Sequence, residues 1–317
     1  MGMISWTGCF RWERGRVARY VCMGLLLFEW GYEGNAIVPR LVVDSVVNLS
    51  SGTPHGSNNI SYAMTVRVVN ETSQSGSYFL SFSVPGGGVD ARRLSSGSSE
   101  LAYQFYRTPT SSIPLRDFPD VRAGEVLIGR FGSGDVQHVL EFTVRMANQV
   151  WLPPGNYSDS FVLRLFSGTI DNCVEVESQL VSLQREISVS TDLSLVNNGG
   201  TFVTGTSIAT LDFGLIDQEV TRSIECVVRS NVGYNMGFSS DGGGYLSHHN
   251  GFRIPYTLSV DGLVLPLASG GESLLNSGFS ATALSGRPHS LSIRLSPDDN
   301  QAAGDYSDNI RISIWAQ

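Results

Sequence analysis

The stretch GNYSD at residues 155–159 returns near the C-terminal end of the 317-residue chain as GDYSD at residues 304–308. The segments that follow also correspond, with SFVLRLF at 160–166 against NIRISIW at 309–315. A motif that recurs together with its flanking sequence is typical of an internal duplication.

Two further pairs of segments lie upstream in the same order. LEFTVRM at 140–146 matches SLSIRL at 290–295, and LAYQF at 101–105 matches IPYTL at 254–258. Because the matched features keep one order and similar spacing, they predict two copies of one domain.

Each matched segment alternates between apolar and polar residues, which places one set of side chains on a buried face of a β-sheet. The inward positions are Phe161, Leu163 and Leu165 in the first copy, and Ile310, Ile312 and Ile314 in the second. Alternating strands joined by turn-rich connections, with 35 glycines in the chain, favour an all-β fold. We therefore predict two tandem immunoglobulin-like antiparallel β-sandwiches.

The two copies differ after their last matched strand. The first copy continues into further alternating sequence at 174–195, whereas the second stops at Gln317. We therefore expect the second sandwich to lack its final strand and to leave a groove lined by apolar side chains. These are Leu193, Leu195, Ile310, Ile312 and Ile314. Each uncovered large side chain forfeits about 1.5–3 kcal/mol, so such a domain needs a partner strand. The alternative is a shorter sheet with a small edge.

The N-terminal residues have the order of a secretory signal peptide. Arginines between Arg11 and Arg19 precede an apolar run at 21–28, and a small residue, Ala36, follows. We predict a signal peptide at 1–36, a self-complete domain at 37–185 and an open domain at 186–317. The alternative for the N terminus is a buried segment with basic flanks.

Charge and motif content argue against nucleic-acid binding and catalysis. The net charge is −8, from 21 basic and 29 acidic residues, without the basic clusters that phosphate contacts require. The sequence contains no G-x-S-x-G, H-E-x-x-H or G-x-x-x-x-G-K motif. The adjacent His248 and His249 would point to opposite faces of a strand and share a metal poorly. We expect no enzyme activity, no cofactor and no metal.

The repeated GxYSD and LxY segments, ATLDFG at 209–214 and SIECVV at 223–228 together resemble the spore coat protein U domain, the pilin-type domain of archaic chaperone–usher pili. The resemblance covers roughly residues 40–317. It implies a pilin domain completed first by a periplasmic chaperone and then by a donor strand from the adjacent subunit, with assembly at an usher. A complete domain before an open one resembles the two-domain tip adhesin. That subunit would be exported through the periplasm to the cell surface, where it meets a host or abiotic surface.

The sequence departs from that family at its cysteines and in its middle loops. Family pilin domains carry a cysteine in their first strand, and the matching residues 188–195 have none. Since Cys9 and Cys22 fall in the predicted signal peptide, a disulfide could form only between Cys173 and Cys226. The tryptophan–glycine motif of the family is also missing.

Two apolar loops of the first copy are candidates for surface contact. The loop at 108–121 contains Ile113, Leu115 and Phe118, and the loop at 150–154 contains Trp151 and Leu152. Exposed apolar patches often mark contact sites. The alternative is that these loops cover the core or pack between the domains. A different function also remains open, namely a secreted carbohydrate-binding protein or sugar hydrolase built on a β-sandwich.

Overall fold

The computed structural model describes residues 37–50, 53–55, 59–84, 88–147, 151–268, 270–298 and 302–317. The predicted signal peptide at 1–36 lies outside this part of the chain. The chain from Ala36 to Gln317 forms one compact unit. The proposed boundary between residues 185 and 186 therefore stays a prediction.

Twenty strands and two short 3₁₀ helices make up the described secondary structure. The strands of the first half are β1 Pro39–Val42, β2 Val46–Asn48, β3 Thr53–His55, β4 Asn59–Asn70, β5 Gly76–Ser83, β6 Arg93–Ser96, β7 Ser99–Tyr106, β8 Leu127–Phe131, β9 Gln137–Ala147, β10 Gly155–Thr169 and β11 Asn172–Ile187. Those of the second half are β12 Thr191–Val196, β13 Val220–Ser230, β14 Tyr234–Ser240, β15 Tyr245–Ser247, β16 Arg253–Val260, β17 Leu263–Leu265, β18 Ser273–Phe279, β19 Arg287–Leu295 and β20 Ile310–Ala316. The 3₁₀ helices are Val89–Ala91 and Ala123–Glu125. Within the described chain, no helix is long and apolar enough to cross a membrane.

The strands of the first half form one continuous sheet that folds back on itself. Its order is β1-β4-β9-β7-β6-β10-β11-β2, with β3 beside β4 and β5 between β10 and β8. The short strand β6 pairs with β7 and touches β10, so it joins the two layers. The period-two side chains of both layers meet in a single core, where Phe161, Leu163 and Leu165 are 0% exposed.

The strands of the second half form two separate sheets. One has the order β12-β13-β19-β16-β15, with β17 beside β16, and the other has the order β18-β14-β20. They enclose a second core that shares no buried residue with the first. The predicted all-β class is thus confirmed, with antiparallel sheets that match two β-sandwiches.

The repeated sequence motif forms the same hydrogen bonds in both halves. Tyr103 donates to Asp159 over 2.7 Å, and Tyr256 donates to Asp308 over 2.5 Å. The LxY segment and the GxYSD segment of each copy therefore bind each other across the sandwich.

The tyrosine inside each GxYSD motif anchors the corner that precedes the last matched strand. Tyr157 donates to the carbonyl of Pro153 over 2.9 Å, and Tyr306 donates to that of Ala302 over 2.8 Å. A tyrosine that reaches back to the backbone a few residues upstream is a known feature of immunoglobulin-like sandwiches. The motif is thus a structural corner.

Candidate functional site

The first sandwich is closed by the long strand β11. It runs antiparallel to β10 along its whole length and parallel to β2 at residues 182–184. Val181 and Leu183 of β11 point into the core and are 0% exposed. They lie opposite Phe161 and Asp159 of β10.

The second sandwich has no counterpart of β11 among its described strands. Strands β12 and β20 approach each other as the edges of their two sheets, without pairing. The predicted groove residues lie on β12 and β20 and are all only half-buried: Leu193, Leu195, Ile310, Ile312 and Ile314. The matching residues of β10 in the first sandwich are fully covered.

A cavity of about 280 Å³ lies between the two edges. Its apolar lining comes from Leu193 and Leu195 on one side and from Ile310 and Ile312 on the other. Ile314 does not line this cavity, although it packs against the second core. Polar residues lie at the rim of the cavity: Ser207, Asp241, Asn309 and Arg311. An apolar floor with a polar rim and two adjacent strand edges suits an extended peptide segment.

Two backbone N–H groups of β12 donate to groups outside the β12–β13 ladder. Leu193 donates to the side chain of Asp192 over 2.8 Å, and Leu195 donates to the carbonyl of Thr206 over 2.7 Å. The second of these acceptors lies in the connection between β12 and β13.

The loop at 108–121 divides its apolar side chains between the interior and the solvent. Leu115 is 0% exposed in the first core, so it is not available to a partner. Phe118 packs against Phe79 and Phe166 on the outer face of β5 and β10. Ile113, in contrast, is 50% exposed and is accessible to solvent.

The loop containing Trp151 and Leu152 contacts the second half of the chain. The Trp151 indole donates to the carbonyl of Thr282 over 2.6 Å. The Asn231 amide donates to the carbonyls of Leu152 and Ser188, over 3.2 and 3.0 Å. This packing between the halves is the alternative that the sequence left open for this loop.

The disulfide that the sequence allowed is not formed. Cys173 and Cys226 are both free thiols. Cys173 packs in a small cluster on the outer face of the first sandwich, whereas Cys226 lies in the core of the second. Burial raises the pKa of Cys226 to about 12, which keeps this thiol protonated. The two residues thus belong to different packing units.

Each sandwich also contains a tyrosine–histidine–aspartate chain that the sequence analysis missed. In the second, the fully buried His289 contacts the Tyr234 hydroxyl at 2.8 Å and Asp261 at 2.7 Å.

In the first sandwich, the Tyr78 hydroxyl contacts His138 at 2.9 Å, and His138 lies 3.4 Å from Asp135. Burial raises the pKa of Tyr78 and of Tyr234 to about 12. The residues come from separate strands and turns, so no local motif could have revealed them.

A second cavity, of about 200 Å³, lies beside the buried Arg92 of the first sandwich. The Arg92 guanidinium donates to the side chain of Gln104 and to the carbonyl of Phe82, and burial lowers its pKa to about 10. Both hydrogen bonds are internal, so this cation holds the interior together. Among the described residues, no cluster of His, Cys, Asp and Glu could hold a metal ion.

No protein-family model and no curated protein matches the chain. Similar solved structures exist at low identity. The tip adhesin in the CsuC–CsuE chaperone complex of Acinetobacter baumannii Csu pili is 13% identical, with a TM-score of 0.46, and the match covers 87% of this chain and 99% of that one.

Two further similar structures are also adhesins. The CupB6 tip adhesin from Pseudomonas aeruginosa is 12% identical, with a TM-score of 0.39 and coverages of 87% and 94%. CfaE, the adhesive subunit of the CFA/I fimbria of enterotoxigenic Escherichia coli, is 12% identical, with a TM-score of 0.35 and coverages of 86% and 91%. These values are too low to assign this chain to a family or an activity.

Proposed function

We propose that this chain is the tip adhesin subunit of a chaperone–usher pilus. Its first sandwich binds a host or abiotic surface, and its second sandwich joins the fibre by accepting a donor strand. A periplasmic chaperone occupies the groove before assembly, and an usher hands the chain to the adjacent subunit. The chain is exported and ends at the cell surface.

The observation that carries this proposal is the unequal closure of two otherwise matching sandwiches. In the first sandwich, Val181 and Leu183 of strand β11 cover the core. In the second, the space that such a strand would fill is an open groove with half-buried isoleucines. Burying several such side chains on strand addition is worth about 1.5–3 kcal/mol each, which is a strong driving force for assembly.

The proposed surface contact of the first sandwich rests on only part of the two predicted loops. Ile113 is a large, exposed apolar side chain of the 108–121 loop, whereas Leu115 and Phe118 pack inward. Trp151 and Leu152 serve the junction between the two sandwiches. We therefore place surface contact near Ile113.

The test is to add a closing strand to the mature chain. A short turn and a copy of residues 172–187 are appended after Gln317, which reproduces the order of β10 and β11. We expect the thermal transition of the second sandwich to rise by more than about 10 °C, because covering two apolar residues supplies about 3 kcal/mol or more. Calorimetry and circular dichroism measure the shift.

Two variants control this experiment. In the first variant, Ser replaces the copies of Val181 and Leu183 in the added strand. This strand lacks the apolar side chains that would fill the groove, so it should leave the thermal transition of the second sandwich unchanged. Ile312→Asp should abolish the gain, whereas Leu263→Asp, at an exposed site on β17, should not. If the unmodified second sandwich already unfolds cooperatively at high temperature and ignores the added strand, the assembly role fails. A self-contained secreted binding protein is then the better interpretation.

A further inference from the structure

We propose that the segment from Phe202 to Ser207 caps the groove, and that its main chain occupies part of the lane that a donor strand must enter. The segment competes with the donor strand and has to move aside when the groove is filled. The competition, unlike the cap, rests on the proposed function.

In the first sandwich, the closing strand β11 accepts a hydrogen bond from the backbone beside it. The Leu49 amide, just after β2, donates to the carbonyl of Gln184 on the closing strand over 2.7 Å. In the second sandwich the Leu195 amide of β12 donates to the carbonyl of Thr206 over the same distance, 2.7 Å. Leu49 is buried in the first core, and Leu195 packs against the second. The Thr206 carbonyl thus takes up an N–H group on the free edge of β12, the strand that flanks the groove.

Contacts on both sides hold the cap in this position. The Val203 amide donates to the Ser194 hydroxyl over 3.1 Å, which ties the segment to β12. The Thr206 amide donates to the Val203 carbonyl over 3.3 Å and closes a turn. The buried ring of Phe202 lies 3.9 Å beneath the guanidinium of Arg229. Ser207, the next residue along the chain, lines the groove cavity itself.

Few hydrogen bonds hold the segment against β12, so it can be displaced. The connection between β12 and β13 contains no helix or strand, and its links to β12 are the single bonds to Leu195 and Ser194. Ile208 directly after the cap is 85% exposed, so the chain turns back to solvent there. A backbone amide buried at a strand edge needs an acceptor, which the cap supplies until a donor strand replaces it.

Amide hydrogen exchange on the mature chain tests the cap itself. We expect the Leu195 amide to be protected in the unmodified protein. Ser194→Ala removes the acceptor of the Val203 amide, and Val203→Pro removes that donor from an exposed position. Either variant should speed Leu195 exchange by about tenfold or more, whereas Thr191→Val, on the same strand but bonded to Ser230, should not. Unchanged Leu195 exchange in both variants overturns the cap.

Association with a donor peptide tests the competition. The probe is the synthetic peptide ESQLVSLQREI, the sequence of residues 177–187 on the closing strand. We expect it to bind several-fold faster to both cap variants than to the unmodified protein and to Thr191→Val. If the cap variants exchange the Leu195 amide faster but bind the peptide at the same rate as the unmodified protein, the cap does not compete with a donor strand. The proposed function of the groove would then still stand. Absence of binding to every variant, with Leu195 exchange still accelerated, overturns the groove function and the competition together.

Discussion

The hydroxyl of Tyr256 lies 2.5 Å from Oδ2 of Asp308 and donates a hydrogen bond to it. Ser240 donates to the same oxygen over 2.6 Å, and the Gly242 amide donates to the other oxygen over 2.7 Å. Tyr103 and Asp159 repeat the relationship in the first sandwich at 2.7 Å. The sequence repeat therefore corresponds to a bond between two motifs that lie far apart along the chain.

Removing the tyrosine hydroxyl should destabilise each sandwich. Hydrogen bonds to charged groups contribute about 1.5–3 kcal/mol, so we expect Tyr103→Phe to lower the free energy of unfolding by about that amount. Tyr256→Phe should cost less, because Asp308 keeps its bonds from Ser240 and Gly242. Urea unfolding measures both values, and Tyr245→Phe at an exposed position is the control. An equal or larger loss for Tyr256→Phe would contradict this ranking.

Buried tyrosines should make the protein sensitive to alkali. Burial raises the pKa of Tyr78 and of Tyr234 to about 12, above the value near 10 of a free tyrosine. The unfolded chain thus loses these protons first as pH rises. Stability from these groups is fully present below pH 10 and is lost between pH about 10 and 12.

Urea midpoints measured from pH 8 to pH 12 check this sensitivity. Tyr78→Phe and Tyr234→Phe should each flatten the decline, because phenylalanine has no proton to lose. A midpoint that stays constant up to pH 12 in the unmodified protein would rule the effect out.

The two thiols should differ in reactivity. We expect the chain from residue 37 onward to carry two free thiols after purification without reductant, since neither cysteine has a partner. Iodoacetamide should modify the half-buried Cys173 before the fully buried Cys226, whose pKa is about 12. Peptide mapping by mass spectrometry reads both results. Recovery of a peptide that links the two cysteines would disprove the structure at this point.

Asn231 should be the most sensitive residue of the junction between the sandwiches. Its side chain accepts from the Ser190 amide over 2.8 Å and donates to the carbonyls of Leu152 and Ser188. Asn231→Asp keeps the acceptor but loses both donated bonds, so we expect a loss of about 2 kcal/mol. Differential scanning calorimetry of the chain from residue 37 onward measures it. Asn198→Asp, at an exposed site, is the matched control and should cost far less.

Period-two alternation was enough to predict the strands and their inward faces, because it reports which side of a strand meets the core. Phe161 and Ile312 both lie on the faces assigned to them. The alternation could not show that Leu115 is buried, since a loop has no periodicity and its burial depends on which strands it crosses. The sequence analysis did not predict the Tyr103–Asp159 hydrogen bond either, although the LxY and GxYSD motifs that form it recur in both copies at similar spacing.

The groove itself could be inferred from the sequence, but its cap could not. Leu193 and Ile310 were predicted to line one groove, and both line the same cavity. The contact between Leu195 and Thr206 depends on the path of an irregular connection, where neither hydrophobic pattern nor turn residues fix the backbone. The sequence could not show that Cys173 and Cys226 lie in different packing units, since a count of cysteines gives no distance between them.

The parallel contact of β11 with β2 joins the end of the first sandwich to its beginning and so sets when its folding can finish. Nearby contacts join residues 136 positions apart, such as the Leu41 amide with Glu177 and Gln179 with the Val43 carbonyl. Contacts of such high sequence separation fold slowly, because a long loop must close before they are gained. The first sandwich therefore cannot finish folding until the whole of β11, up to Ile187, is available to pair with β10 and β2.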